Sequence, residues 1–158
     1  ARRLGGGFGG AGRLMDVNLI AQAVAGILAA IDGVDGALVS GYQLPPDTQS
    51  VFALVVPFDQ ESTFEQTDLG GASVLAHHLL QIEFWCKHDP AAPDLTLERA
   101  RNIGTRAVAA LMENDGDGYT IDREMNFRER IDGGFVTIGN VPWLVAHLHV
   151  PLENEVIV

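Results

Sequence analysis

The chain has 158 residues, 47% of them hydrophobic, which suits one domain with a sizeable core. Its net charge is −11, and the three arginines before residue 15, with no acid among them, leave −14 on the rest. A body this acidic repels nucleic acid, because neutralising phosphates requires clustered cations.

No run of eighteen or more apolar residues occurs, which argues against a membrane-spanning helix. The opening ARRLGGGFGG is basic but lacks the continuous apolar stretch of a secretory signal. Cys86 stands alone, so no internal disulfide framework exists and a reducing compartment is expected.

Residues 1–14 read as a flexible Gly/Arg-rich arm, with Gly at 5, 6, 7, 9, 10 and 12 and only Phe8 and Ala11 interrupting them. Too little apolar surface is present for the arm to fold alone. Arg2, Arg3 and Arg13 give it the charge to reach an acidic neighbour, and Phe8 and Leu14 are apolar anchors for ordering on another subunit. Met15 is a candidate second translation start, and residues 15–158 form the single domain.

Asp16 is placed to cap a first helix, whose stripe of Val17, Ile20, Ala21, Val24, Ile27, Leu28 and Ile31 keeps helical spacing up to an Asp32-Gly33 stop. A short strand near Ala37–Tyr42, a Pro45-Pro46-Asp47 turn and an apolar strand over Val51–Val56 ended by Pro57 follow. Residues 58–72 hold four acids and no steady period, which reads as a long hairpin loop.

Between Ser73 and Lys87 the sequence alternates almost without interruption. Val74, Ala76, His78, Leu80, Ile82, Phe84 and Cys86 fall on one face of a strand, with Leu75, His77, Leu79, Gln81, Glu83, Trp85 and Lys87 on the other. At about 3.3 Å per residue this strand extends about 50 Å. Such a strand is expected to overhang its domain and leave backbone groups that need a partner.

A second helix is expected over Thr96–Asn114, then strands over Thr120–Glu129, Gly134–Ile138 and Val141–Leu152, with a tight turn at Gly139-Asn140. The order predicts an α+β fold: a mainly antiparallel sheet with two helices packed on one face and a long hairpin extension.

Residues 113–124 resemble an EF-hand calcium loop, with Asp115 and Asp117 at the third and fifth positions, Gly118 at the sixth and Glu124 at the twelfth. Glu rather than Asp holds the first position, Ile121 falls one place late, and no second loop pairs with it. A helix-to-strand turn uses the same Asn, Asp and Gly residues for conformational reasons. His147 and His149 share a strand face and are placed to approach one zinc ion, but no Cys pair or carboxylate stands at matching spacing. GGGFGG lacks the following Lys-Ser or Lys-Thr of a phosphate loop, and neither a Gly-x-Ser-x-Gly elbow nor HExxH occurs. No catalytic set or cofactor site is expected.

The run from Met15 onward resembles the tail-terminator (tail-completion) proteins of long-tailed bacteriophages and related gene transfer particles. The resemblance is carried by the MDVNLIAQAVAGILAAI helix, the VSGYQLPPD strand-turn and the SVFALVVPF strand entering an acidic hairpin. The DLTLERARNIGTRAVAALMEN helix and the closing GGFVTIGNVPWLVAHLHVPLE pair complete it. The arm at 1–14 departs from the family's start.

The resemblance implies a virion protein, assembled in the host cytoplasm, that forms a six-subunit ring at the head-proximal end of the tail tube. It stops tube growth and offers a surface to the neck or head-completion protein, while DNA passes through without specific binding. The expected contacts are the arm and the Gln60–Gly71 loop, in particular Glu61, Phe64, Glu65, Asp68 and Leu69. Alternatives are another neck or head-completion connector or a minor tail protein, a calcium-binding module built on residues 113–124, or a small hydrolase.

Overall fold

A computed structural model describes residues 17–39, 50–66, 73–114, 118–122, 124–129 and 135–157. The order is α1 (Val17–Ala29), β1 (Gly36–Val39), β2 (Val51–Gln66), β3 (Ser73–Lys87), α2 (Pro93–Glu113), β4 (Thr120–Ile121), β5 (Asn126–Glu129), β6 (Phe135–Ile138) and β7 (Val141–Ile157). This is an α+β fold with a curled, mostly antiparallel sheet. β1 pairs parallel with β2, and β2, β3 and β7 follow as antiparallel neighbours. The outer side of β7 is shared in turn by β6, β5 and β4.

The alternation in β3 sets the layers. Leu80, Ile82, Phe84 and Cys86 are fully buried, and their register partners Val51, Ala53, Val55, Leu144, Ala146, Leu148 and Val150 join them in one core. Both helices cover that face, α1 through Ile20, Val24 and Leu28, and α2 through Ala100, Ile103, Ala107 and Leu111. Gly104 lets α2 approach the sheet: a Cβ there would stand 2.4 Å from Cε2 of Phe127 on β5. Past α1, Gly33 turns the chain with φ +95°, a conformation open to glycine.

β3 spans the predicted Ser73–Lys87, but its backbone is not left unpartnered. All fifteen residues pair with β7, and β2 runs along most of the opposite side. The expected overhang is therefore a three-stranded ribbon, because β2 and β7 are themselves extended to 16 and 17 residues.

Pro57 does not end β2, contrary to the sequence expectation, and the strand continues to Gln66. The amide of Lys87 donates to the Ser50 carbonyl, while the Asp35 amide donates to the Val51 carbonyl. Odd-numbered residues of β2 thus turn their backbone polar groups toward β1, and β1 ends opposite Val55. Proline at 57 therefore deletes a donor on the side away from β3, two residues past the end of the β1 register. Beyond it the register slips by three residues between Phe58 and Thr63, a bulge, before pairing resumes with Thr63 opposite His77. Residues 58–66, expected as loop, are therefore largely strand, and only the connection over 67–72 lies outside the described residues.

The strand expected over Thr120–Glu129 is two short strands, β4 and β5, interrupted around an Asx turn in which the Glu124 amide donates to Asp122 Oδ1. β7 continues five residues past the expected Leu152, to Ile157, because β3 offers partners that far. The Gly139-Asn140 turn is present, with φ +62° at Gly139.

Where β1 leaves α1, Asp35 Oδ2 accepts from the Ser50 and Val51 amides at 2.7 and 3.0 Å. The Val51 and Ser50 amides hold the Asp35 carboxyl below its ordinary value of 3.8. Its contribution is therefore present at neutral pH and lost as pH falls through that lowered value. Asp35→Ala is expected to cost about 1 kcal/mol at pH 7 for two hydrogen bonds at an exposed site. Urea unfolding from pH 7 to 3 checks this: the gap between variant and parent should shrink at the acid end.

Candidate functional site

The face of the sheet away from the helices presents an ordered polar row. At its centre the Glu83 side chain is 20% exposed and meets two donors and a histidine. Gln81 Nε2 donates to Oε2 at 3.2 Å and Trp85 Nε1 to Oε1 at 3.1 Å. His147 Nε2, directly across on β7, stands 3.7 Å from Oε2. Trp85 meets Trp143 edge-on at a centroid distance of 6.4 Å, and Lys87 Nζ lies 5.4 Å from the Trp143 ring centre. Strand alternation gathers residues 81, 83, 85 and 87 on one face, and the pairing of β3 with β7 brings Trp143 and His147 beside them.

Farther along the ribbon His77 joins three strands. Its Nε2 is 3.4 Å from Glu65 Oε2 on β2, and its Nδ1 is 3.5 Å from Glu153 Oε2 on β7. On the opposite face His78 Nε2 lies 2.9 Å from Oδ1 of the buried Asn154. Residues β2 and β7 contribute to this cluster could not be paired from sequence, because the register depends on the bulge.

His147 and His149 do share a face of β7, as their spacing predicts, and His147 turns to Glu83. Among the described residues, no group of three or more His, Cys, Asp or Glu is placed to hold a metal ion.

Of the residues expected at an interface, Glu65 is described: its side chain is 69% exposed and sits beside His77. Phe64 lies opposite Ala76 in the β2–β3 register, and Glu61 falls in the bulged stretch between Phe58 and Thr63. Arg2, Arg3, Phe8, Arg13, Asp68 and Leu69 lie outside the described residues. So do Asp115 and Asp117 of the calcium-like loop, whereas Glu124 is exposed. Glu113 ends α2, and after Glu124 the chain enters β5, so a strand stands where an EF-hand has its second helix.

A cleft of about 480 Å³ opens at the start of β2, between α2 and the turn after α1. Arg99, Asn102 and Arg106 line it from α2, with Asp35 and Ser50 opposite. Arg106 Nη1 donates to the Asp32 carbonyl at 2.9 Å. Nothing in the sequence pattern announced this cleft, because the arginines read as an ordinary solvated helix face.

Cys86 lies beneath α2 in the core and is fully buried. Burial pushes its thiol up to about 11, with the nearby Arg99 charge offsetting part of the effect. The folded protein is therefore expected to resist thiol reagents at pH 8 and to react once unfolded, as a timed assay with and without urea reads directly. Because the native state holds this proton more tightly, the Cys86 contribution is present below the ordinary value of 9.0 and lost as pH rises from there through about 11.

No model of a known protein family matches the sequence, and no curated protein does.

Proposed function

We propose that this chain is a structural subunit of a tail-terminator ring, seated at the head-proximal end of the tail tube of a long-tailed bacteriophage or gene transfer particle. The observation that carries the reading is the ribbon of β2, β3 and β7, with 16, 15 and 17 residues against about 5–6 in an ordinary strand. Such strands are about three times the ordinary length, and the acids Asp59, Glu61 and Glu65 fall in the half of β2 beyond the end of β1. Subunit contacts through strands and hairpins are a common assembly mode.

In this reading six copies close a ring that halts tube growth and presents a surface to the neck or head-completion protein. The net charge of −11 lets DNA pass without being held. The polar row around Glu83 is a preorganised surface of donors and acceptors suited to a protein partner. No catalytic step is assigned to the chain. A connector elsewhere in the neck or a minor tail protein draws on the same ribbon.

The test is the mass of the purified chain in solution with and without assembled tail tubes, followed by electron microscopy of the tube ends. A ring, or a monomer that becomes a ring on tube ends, supports the terminator. A monomer indifferent to tubes, or rings that never cap them, removes it. Deleting residues 1–14 in the same assay asks whether the arm takes part, with retained ring formation and tail joining excluding it.

A further inference from the structure

The cleft beside α2 and the acidic hairpin stand at opposite ends of the same strand. The cleft is lined by Ser50 and Val51 at the start of β2, and the hairpin begins at its end, Gln66. With three residues of β2 taken up by the bulge, the span paired from Cys86 to Val74 of β3 separates them by about 40 Å. One molecule cannot place its own hairpin in its own cleft.

Their chemistry is complementary. Residues 58–72 carry Asp59, Glu61, Glu65 and Asp68 with no base. Beyond the arm the chain has seven basic residues, and three of them, Arg99, Arg101 and Arg106, lie on α2. Arg99 and Arg106 both face the cleft, two helical turns apart, or about 10 Å along the axis. In an extended chain acids an even number of residues apart share a face, so Asp59 and Glu61 stand about 7 Å apart and Glu61 and Glu65 about 13 Å, spacings that bracket that distance.

Arg106 spends one donor on the Asp32 carbonyl and retains others in its fork. Two acids also line the cleft, Asp35 and Glu98. The Asp35 charge is already held by two backbone amides, and the cleft is formally neutral in a chain of net charge −11. Leu95, 51% exposed at the rim, offers an apolar contact of the kind Phe64 or Leu69 would fill.

We propose that this cleft binds the acidic segment 59–68 of a second copy of the chain, with Arg99 and Arg106 receiving its carboxylates. The inference rests on the ring reading and specifies the joint within it. Each subunit offers one cleft and one hairpin, so the contact is head to tail and repeats around a ring when its rotation closes. Guanidinium forks recognise carboxylates through paired hydrogen bonds, which gives the joint its register.

The test uses a fluorescent peptide of residues 58–72 titrated into the full chain, read by anisotropy at low and moderate salt. Saturable binding is expected, weakening as salt rises. It should fall by about tenfold or more when the four acids of the peptide become Asn and Gln, and likewise for the Arg99→Glu/Arg106→Glu chain. The neutral peptide keeps the test valid even where the double variant misfolds. No saturable binding, or equal binding of the neutral peptide, overturns the proposal.

Charge reversal supplies a second reading. The Arg99→Glu/Arg106→Glu chain and a Glu65→Arg/Asp68→Arg chain should each fail to self-associate on tube ends, yet assemble when mixed. The peptide reads the cleft without requiring a ring. Rings on tubes without peptide binding would overturn the cleft and spare the terminator. Peptide binding without rings would support the cleft while removing the terminator.

Discussion

Replacing Gly104 by alanine is expected to destabilise the fold by about 2 kcal/mol, the cost of overpacking a close contact. On an exposed helix the same change gains about 1 kcal/mol, because alanine is the better helix former. The sign is therefore decided by what stands opposite. At Gly104 the new methyl would lie 2.4 to 2.8 Å from three ring atoms of Phe127, and β5 holds that ring through its register with β7. The ring must swing aside, or α2 must lift or β5 shift. Gly26 on α1 provides the control, since a Cβ there meets nothing within 4 Å. Gly26→Ala should stabilise by about 0.5–1 kcal/mol. Denaturant midpoints for both variants check the pair. Adding Phe127→Leu to Gly104→Ala should recover part of the loss, since the two sites are coupled.

Phe84→Ala should cost more, about 3–5 kcal/mol, the range for removing a buried aromatic ring from a core that cannot collapse around it. Phe84 is 0% exposed, on the central strand, with Ala53 and Ala146 opposite it on both neighbours. Those small partners make room for the ring and cannot fill the space it leaves. Domains of this size have about 5–15 kcal/mol in total, so the variant approaches the limit of folding. Trp85→Ala, one residue along, should cost less despite the larger side chain, because Trp85 lies half-buried on the other face against Trp143 and Glu83. A Phe84 loss no greater than the Trp85 loss in urea unfolding would contradict the assignment of the two faces.

The two faces were legible from Ser73–Lys87 alone. Period-two alternation is a local property, and it specified the strand and sorted its residues into two faces before any partner was known; the helices decided which face is buried. The helical stripes of α1 and α2 were readable for the same reason, and so was the glycine turn between β6 and β7. The extent of β2 was not. Pro57 is a strand breaker by local rules, and it is tolerated because its nitrogen faces away from β3, past the end of the β1 register opposite Val55. The split of β4 from β5 was hidden similarly: residues 120–129 have strand-like composition, but β7 meets them in two separate places.

The candidate sites divide along the same line. Glu83, Trp85 and Gln81 share a face by spacing, so half of the polar row was present in the sequence. Its other half, His147, depended on the pairing of β3 with β7. His77 between Glu65 and Glu153 depended on two pairings and a three-residue slip in β2. The Arg99–Arg106 cleft needed α2 laid beside the turn after α1, residues more than sixty positions apart in the chain.

Composition, charge and periodicity thus specified an acidic α+β domain, its two amphipathic helices and its long central strand, because each follows from forces between near neighbours. Which edges were sealed, where the strands stopped and which charged groups met were set by long-range pairing, since a backbone donor or carboxylate acquires its partner only when distant segments are packed together.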